Sequence, residues 1–268
     1  MPNTSASTFA ALHHGGGPFV LPNAWDVASA VLLANVGFPA IGTTSLGVTA
    51  AAGLPDGAAA GSELTVALAR TLVDRVAVPI TVDIEGGYSD DPAAVAALAA
   101  ELAELGVAGV NLEDGRADGT LRSADAHAAI IRAVASAAPQ LFVNARTDTY
   151  WLHVGGADER LDETTRRLVA YRDAGAAGVF SPGLTDLVDT AIVAERVALP
   201  LNVLWRPGVE LTALAAAGVA RVSTGSALYR HALAAALATA DAARTSTQPA
   251  TPAVDYDDLQ RLLEVTKP

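Results

Sequence analysis

The chain has 268 residues and a formal net charge of −12, with 51% hydrophobic and 17% charged residues. That length suits one large α/β domain or two small ones, the apolar content excludes a disordered chain, and the acidity argues against a nucleic-acid partner. With no cysteine, disulfides, thiolate metal sites, iron–sulfur clusters and a cysteine nucleophile are all excluded.

The first segment, 1–17, carries His13 and His14 before a glycine run and reads as a flexible surface stretch. It lacks the basic and apolar regions of a signal peptide, and no apolar run reaches the ~18 residues a bilayer span needs. The expectation is a soluble cytoplasmic protein with no membrane partner. From residue 18 onward, short β-rich runs alternate with helical patterns. The strand runs are 18–24, 39–45, 79–85, 108–114, 141–148, 177–182, 199–205 and 220–225. Between and after them the spacing predicts helices over 27–35, 62–76, 93–105, 124–137, 161–174, 187–196, 211–217 and 228–243. Several helices end in a glycine placed for a left-handed C-cap, as in "ELGVAGVN" and "DAGAAGVF". Strand count and length match a (β/α)8 TIM-type barrel over 18–244. A doubly wound sheet is the rival, but no G-x-G-x-x-G follows the first strand. A polar, proline-containing linker and a C-terminal helix fill 245–268.

In such a barrel, chemistry sits where strands end. The third strand ends in Asp83 and Glu85, the fourth in Asn111, Glu113 and Asp114, and the fifth in Asn144, Arg146 and Asp148. A spacing of two puts Asp83 with Glu85, Asn111 with Glu113, and Asn144 with Arg146 on shared faces. Thr43, Thr44 and Ser45 end the second strand, Asp56 lies in the loop beyond, Asn202 ends the seventh, and Ser223 and Thr224 the eighth. Asp56, Asp83, Glu85 and Glu113 cannot sit ionised together without a counter-ion, and an all-oxygen set selects Mg²⁺ or Mn²⁺. Arg146 suits a substrate carboxylate, which it can hold bidentately. Asp90 and Asp91 before Pro92 read as a helix cap and first turn, Asp114 and Asp148 as either caps or site groups, and His127 as solvated.

The ordered motifs "LPNAWDVASA", "AIGTTSLGVTAAAGLPDG", "VDIEGGYSDDP", "GVNLEDG" and "VNARTDTYW" resemble the phosphoenolpyruvate mutase/isocitrate lyase superfamily, over about Pro18 to Arg230. The resemblance implies a Mg²⁺-dependent enzyme. It would cleave a C–C bond, less readily a C–P bond, beside the carboxylate of a small 2-oxo or 2-hydroxy acid, through a metal-stabilised enolate. It also implies a homo-oligomer, dimer or tetramer, with the last barrel helix exchanged between partners. Carried over by position, Asp83 matches the most direct metal contact, and Asp56, Glu85 and Glu113 match acids that hold the metal largely through water. Arg146 matches the substrate-carboxylate arginine, while Thr44, Ser45, Leu46 and Asn202 match substrate-binding positions.

The departures bear on the reaction. The family's D-x-D-x-G-Y-G stands here as "DIEGGYS", and the K-K-C-G-H loop of its isocitrate and methylisocitrate lyases is missing. Only "DGRADGTLRSADAH" separates Glu113 from the next helix. Standard lyase and mutase activities are disfavoured, leaving oxaloacetate decarboxylation, oxaloacetate-type hydrolysis or a retro-aldol cleavage. The proton donor would be water, Tyr88, Arg116 or Asp118. The competing expectation is an altered relative that binds a carboxylate metabolite as a sensor or accessory protein.

Overall fold

The computed structural model describes residues 4–57 and 60–264. Its strands are β1 (Phe19–Leu21), β2 (Asn23–Ala24), β3 (Ile41–Thr43), β4 (Ile80–Asp83), β5 (Gly109–Glu113), β6 (Phe142–Arg146), β7 (Gly178–Phe180), β8 (Leu201–Leu204) and β9 (Val219–Ser223). All pair in parallel, in the order β1-β9-β8-β7-β6-β5-β4-β3-β2. The two ends of that order, β1 and β2, are separated only by Pro22, so the sheet closes into the expected TIM-type barrel. Proline has no N–H for a ladder. The predicted first strand therefore divides, β1 pairing with β9 and β2 with β3. Asn23 fastens this seam: its N–H donates to Thr224 Oγ1 at 2.9 Å, its Oδ1 accepts from the Gly225 N–H at 2.9 Å, and its Nδ2 donates to the Thr43 carbonyl at 2.7 Å.

The helices are α1 (Thr4–Leu12), α2 (Val27–Asn35), α3 (Ser45–Ala51), α4 (Ser62–Arg75), α5 (Pro92–Leu105), α6 (Ala124–Ala137), α7 (Ala157–Asp173), α8 (Leu187–Val197), α9 (Leu211–Ala216), α10 (Ala227–Thr245) and α11 (Tyr256–Glu264). Local chemistry sets their ends. Asp26 and Ser29 form a reciprocal capping box at α2, Asp186 caps α8, and Asp91 caps α5 with Pro92 in its first turn. Gly106 ends α5 at φ 99°, a left-handed turn that other residues adopt at a cost. No helix among the described residues is long and apolar enough to cross a membrane.

Strand alternation divides the core. Val82, Val110, Leu112, Val143, Val179, Val203 and Val222 join the large apolar cluster under the helices. The opposite faces of the same strands turn Asp83, Asn111, Asn144, Asn202 and Arg221 into the barrel. Phe9 of α1 plugs the lower end with Leu21, Ala40, Ala108 and Phe142. His13 belongs to this plug and is no flexible surface residue. It is 7% exposed and stacks on Phe142 at 4.1 Å, because the aromatic floor leaves a ring-sized apolar place beside Phe9. At the other terminus α11 packs on α2, and the Arg75 guanidinium donates to the Leu263 carbonyl. By contrast, every residue of α10 from Arg230 to Asp241 is exposed.

Candidate active site

The upper mouth of the barrel holds a cavity of about 190 Å³ lined by Asn23, Thr44, Ser45, Leu46, Asp56, Asp83, Asn111 and Arg146, with Trp151, Trp205 and Arg230 at its rim. Asp83 is the last residue of β4, and Thr43 at the end of the neighbouring β3 and Ser45 at the start of α3 position it. Its N–H donates to Thr43 Oγ1 at 2.9 Å, and the Ser45 N–H donates to Asp83 Oδ2 at 3.2 Å. The other oxygen, Oδ1, is buried and meets no hydrogen-bond donor among the described residues. Asp56 borders the same cavity. Partial withdrawal from water raises its carboxyl above the ordinary range, opposed by a hydrogen bond from Ser45.

Arg146 ends β6 between two carboxylates. Nη1 lies 2.5 Å from Glu113 Oε2, while Nε and Nη2 donate to Asp148 Oδ1 and Oδ2 at 2.6 and 3.1 Å. Its guanidinium also stands 5.6 Å from the centre of the Phe180 ring. Burial opposes the charge on Arg146, but Glu113 and Asp148 outweigh it and hold the pKa above its usual value. Burial likewise drives the Glu113 and Asp148 carboxyls upward, with Arg146 pulling each back. Arg146 has N–H groups beyond those that the two acids engage, and it lines the cavity, so an anion can still be received there.

Behind Asp148 stands Asp114, fully buried. It accepts from the Asp148 N–H at 2.9 Å, Thr147 Oγ1 at 2.8 Å, Arg167 Nη1 at 3.1 Å and Tyr171 Oη at 2.6 Å. Neither Asp114 nor Asp148 caps a helix; both are consumed in holding Arg146 and the chain around it. Gly115 makes this possible, since a β-carbon there would sit 2.2 Å from Asp148 Oδ2.

The segment after β5 folds into a short hairpin closed by a Gly115–Leu121 bridge. Asp90 anchors it, accepting from Arg116 Nη2 at 2.8 Å and from Arg122 Nη2 at 2.8 Å. Asp91 alone is the helix cap; Asp90 is drawn away by these two cations. Arg122 also meets His127 Nδ1 at 3.2 Å, and the Leu112 carbonyl lies 3.3 Å from the ring's Nε2. His127 is thus fully buried rather than solvated, because the inner face of α6 closes over β5.

A model of the phosphoenolpyruvate phosphomutase family matches residues 9–244. The chain belongs to that family. An uncharacterized protein of Mycobacterium tuberculosis is 43% identical over 258 residues, covering 96% of both chains. The 2-methylisocitrate lyase of Bacillus subtilis is 35% identical over 189 residues, 68% of this chain and 60% of the lyase. A crystal structure of an oxaloacetate acetylhydrolase superposes with a TM-score of 0.86 at 25% identity, covering 99% of this chain and 96% of that one.

Within this family framework, the expected site residues divide between two cavities. Thr44, Ser45, Leu46, Asp56, Asp83 and Arg146 gather at the main one. Glu85 and Tyr88 line a neighbouring cavity of about 250 Å³ with Arg116 and Arg122. The shared strand face expected for Asp83 and Glu85 does not form, because β4 ends at Asp83 and Glu85 turns left-handed at φ 50°. Tyr88, also left-handed at φ 57°, has its hydroxyl 2.9 Å from Thr65 Oγ1. Burial, with the nearby acids adding to it, keeps that phenol protonated. Asp118 is exposed and bonded to Thr120 at the hairpin. Asn202 is buried inside the barrel, both atoms of its amide without a partner among the described residues.

Among the described residues, no three His, Cys, Asp or Glu side chains converge on one point as a direct metal shell. One direct ligand with water between the metal and the other acids is the arrangement this donor set fits, and hydrated Mg²⁺ is bound in that manner. The unpartnered Asp83 Oδ1 is the atom that would take the direct position.

The sequence reading missed Arg221, fully buried in β9, whose Nη2 donates to Asn111 Oδ1 at 2.8 Å. Its signal was present: an arginine two residues before Ser223, on the inward face of a strand otherwise flanked by valine. Arg167 and Tyr171 on α7 were also missed, since helix positions carry no strand-end cue.

Proposed function

We propose that this protein is a Mg²⁺-dependent lyase that cleaves a C–C bond beside the carboxylate of a small 2-oxo or 2-hydroxy acid. The observation that carries the reading is the pairing of Asp83, with one carboxylate oxygen uncommitted, and Arg146, clamped in the same cavity. Asp83 would hold the ion directly, with Asp56, Glu85 and Glu113 reaching it through water. When bound, the metal supplies a Lewis acid that polarises a substrate oxygen.

The protein's own groups account for the rest. Arg146 takes the substrate carboxylate, and its orientation is fixed by Glu113 on one side and Asp148 on the other. Thr44, Ser45 and Leu46 border the substrate oxygens, and Trp151 and Trp205 narrow the way to solvent. Cleavage of the bond next to the carbonyl leaves its electron pair as an enolate, which the fixed cation of Arg146 stabilises. Decarboxylation asks least of the protein, because carbon dioxide leaves without a general base. The 2-methylisocitrate lyase and oxaloacetate acetylhydrolase relatives support a substrate of this class.

A second reading, a carboxylate sensor without turnover, is favoured by the short hairpin held down by Asp90. Oxaloacetate, 2-methylisocitrate, 2,3-dimethylmalate and phosphonopyruvate, each incubated with Mg²⁺, separate the two. Turnover of a carbon acid that is lost in Asp83→Ala establishes the lyase. Binding without turnover leaves the sensor, and calorimetry showing no Mg²⁺ uptake removes the metal from both.

The exposed length of α10 supports self-association, with α10 seated on a second copy of the chain.

A further inference from the structure

At the floor of the main cavity, Asn111 is held by two donors through a single atom. Asn144 Nδ2, from the adjacent strand, donates to Asn111 Oδ1 at 2.8 Å, and Arg221 Nη2 reaches the same oxygen from β9 at 2.8 Å. A guanidinium carries only donors, so the atom facing Arg221 is the amide oxygen, which fixes which way round the amide lies. The amide nitrogen is thereby turned away from both. It finds no acceptor among the described residues, and the side chain borders the cavity. Asp83 is its register partner on β4, and Arg146 stands two positions beyond Asn144 on β6.

The arrangement is costly to keep. Arg221 is wholly enclosed, and its Nε and Nη1 meet no acceptor among the described residues. A buried cation with unused donors costs stability, so its retention here points to another purpose. Burial brings the pKa of Arg221 down to about 9, Asp83 opposing it, so the group is still cationic at neutral pH. Its charge beneath Asn111 polarises the amide and makes the outward N–H a stronger donor.

We propose that Asn111 is a catalytic residue of this site, its Nδ2–H donating to the substrate oxygen that becomes the oxyanion, with Arg221 and Asn144 as the positioning residues that aim it. This rests on the lyase reading above and adds to it a donor preorganised before substrate arrives.

Oxalate, a planar dianion shaped like a 2-oxo acid enolate, serves as the probe, titrated calorimetrically into the Mg²⁺-loaded full chain. Asn111→Leu is expected to weaken oxalate roughly tenfold to a hundredfold, the scale of one hydrogen bond to a charged group. Titration of Mg²⁺ alone should match wild type. Asn111→Ser, which keeps an oxygen toward Arg221 but cannot reach the cavity, carries the same expectation should the leucine variant fail to fold. Arg221→Met should lose part of the oxalate affinity and Arg221→Lys recover it, a pattern that a purely structural arginine would not give. Oxalate binding unchanged in either Asn111 variant overturns the proposal alone. Wild-type protein that takes up neither Mg²⁺ nor oxalate overturns it together with the lyase reading.

Discussion

Charges withdrawn from water at this mouth are held in fixed partnerships, and single changes should expose them. Asp114 carries four donors, among them the Arg167 guanidinium. Asp114→Asn leaves Glu163 as that cation's remaining counter-charge and turns an amide N–H toward buried donors, and we expect a loss of about 1–3 kcal/mol in urea unfolding. His127 gives a pH signature. Its Nδ1 faces a guanidinium that can only donate, so the ring is neutral with its proton on Nε2. Burial, then the charge of Arg122, lowers its pKa from 6.5 to about 3. Between those values the unfolded chain binds a proton that the folded chain refuses. Stability is therefore complete above pH 6.5 and falls as the pH drops, by about 1.4 kcal/mol per pH unit from this ring. Urea midpoints at pH 7 and pH 5 should lie closer together in His127→Gln than in wild type; an equal separation would mean that the ring does not resist protonation. Strand-end acids were legible because their spacing shows on the page. His127 was misread, Arg221 was missed and Asp114 stayed open between cap and site group, because what decides them is what faces them, from α6 over β5, from β9 across the barrel and from α7 behind the mouth.

Among the elements, the hairpin after β5 differs most from what the motifs suggested. Its shortness was visible in "DGRADGTLRSADAH", but its anchoring was not, since Asp90 is more than twenty residues from both arginines. Asp90→Ala should cost about 1–3 kcal/mol in urea unfolding, because the acid is exposed but the Arg122 guanidinium it pairs with is buried. Amide exchange across 115–121 should also accelerate; unaltered exchange there would show that backbone bonds alone hold the hairpin. The principal helices following the strands were readable from periodicity and caps, α2 and α6 to the residue. The helix α3 was not, because its start, Thr44 to Ser45, coincides with polar strand-end residues that read as loop. α1 was missed because its only large apolar side chains are Phe9 and Leu12.

At the level of the whole molecule, the barrel and its family were recoverable from the order of motifs, while the manner of closure was not. The exposed α10 makes a further prediction. Leu237, 73% exposed, should be buried in an assembly, so Leu237→Glu is expected to shift the mass seen by light scattering toward 27.1 kDa. An unchanged monomeric mass in the wild type would remove self-association through this helix.

The seam at Pro22 has a kinetic meaning. The contacts that Asn23 makes with Thr224 and Gly225 span 201 and 202 residues of chain, so the ring can shut only after nearly all of it has been made and ordered. Closure over such a separation belongs to the slow end of folding. The main cavity draws on both sides of this junction, with Asn23 on one and Ser223 to Gly225 on the other. A ligand seated there recognises only the closed ring, and each molecule bound withdraws protein from the open forms. Substrate would thus act as a clasp on the last step of assembly, slowing the reopening of the barrel for as long as it stays in place.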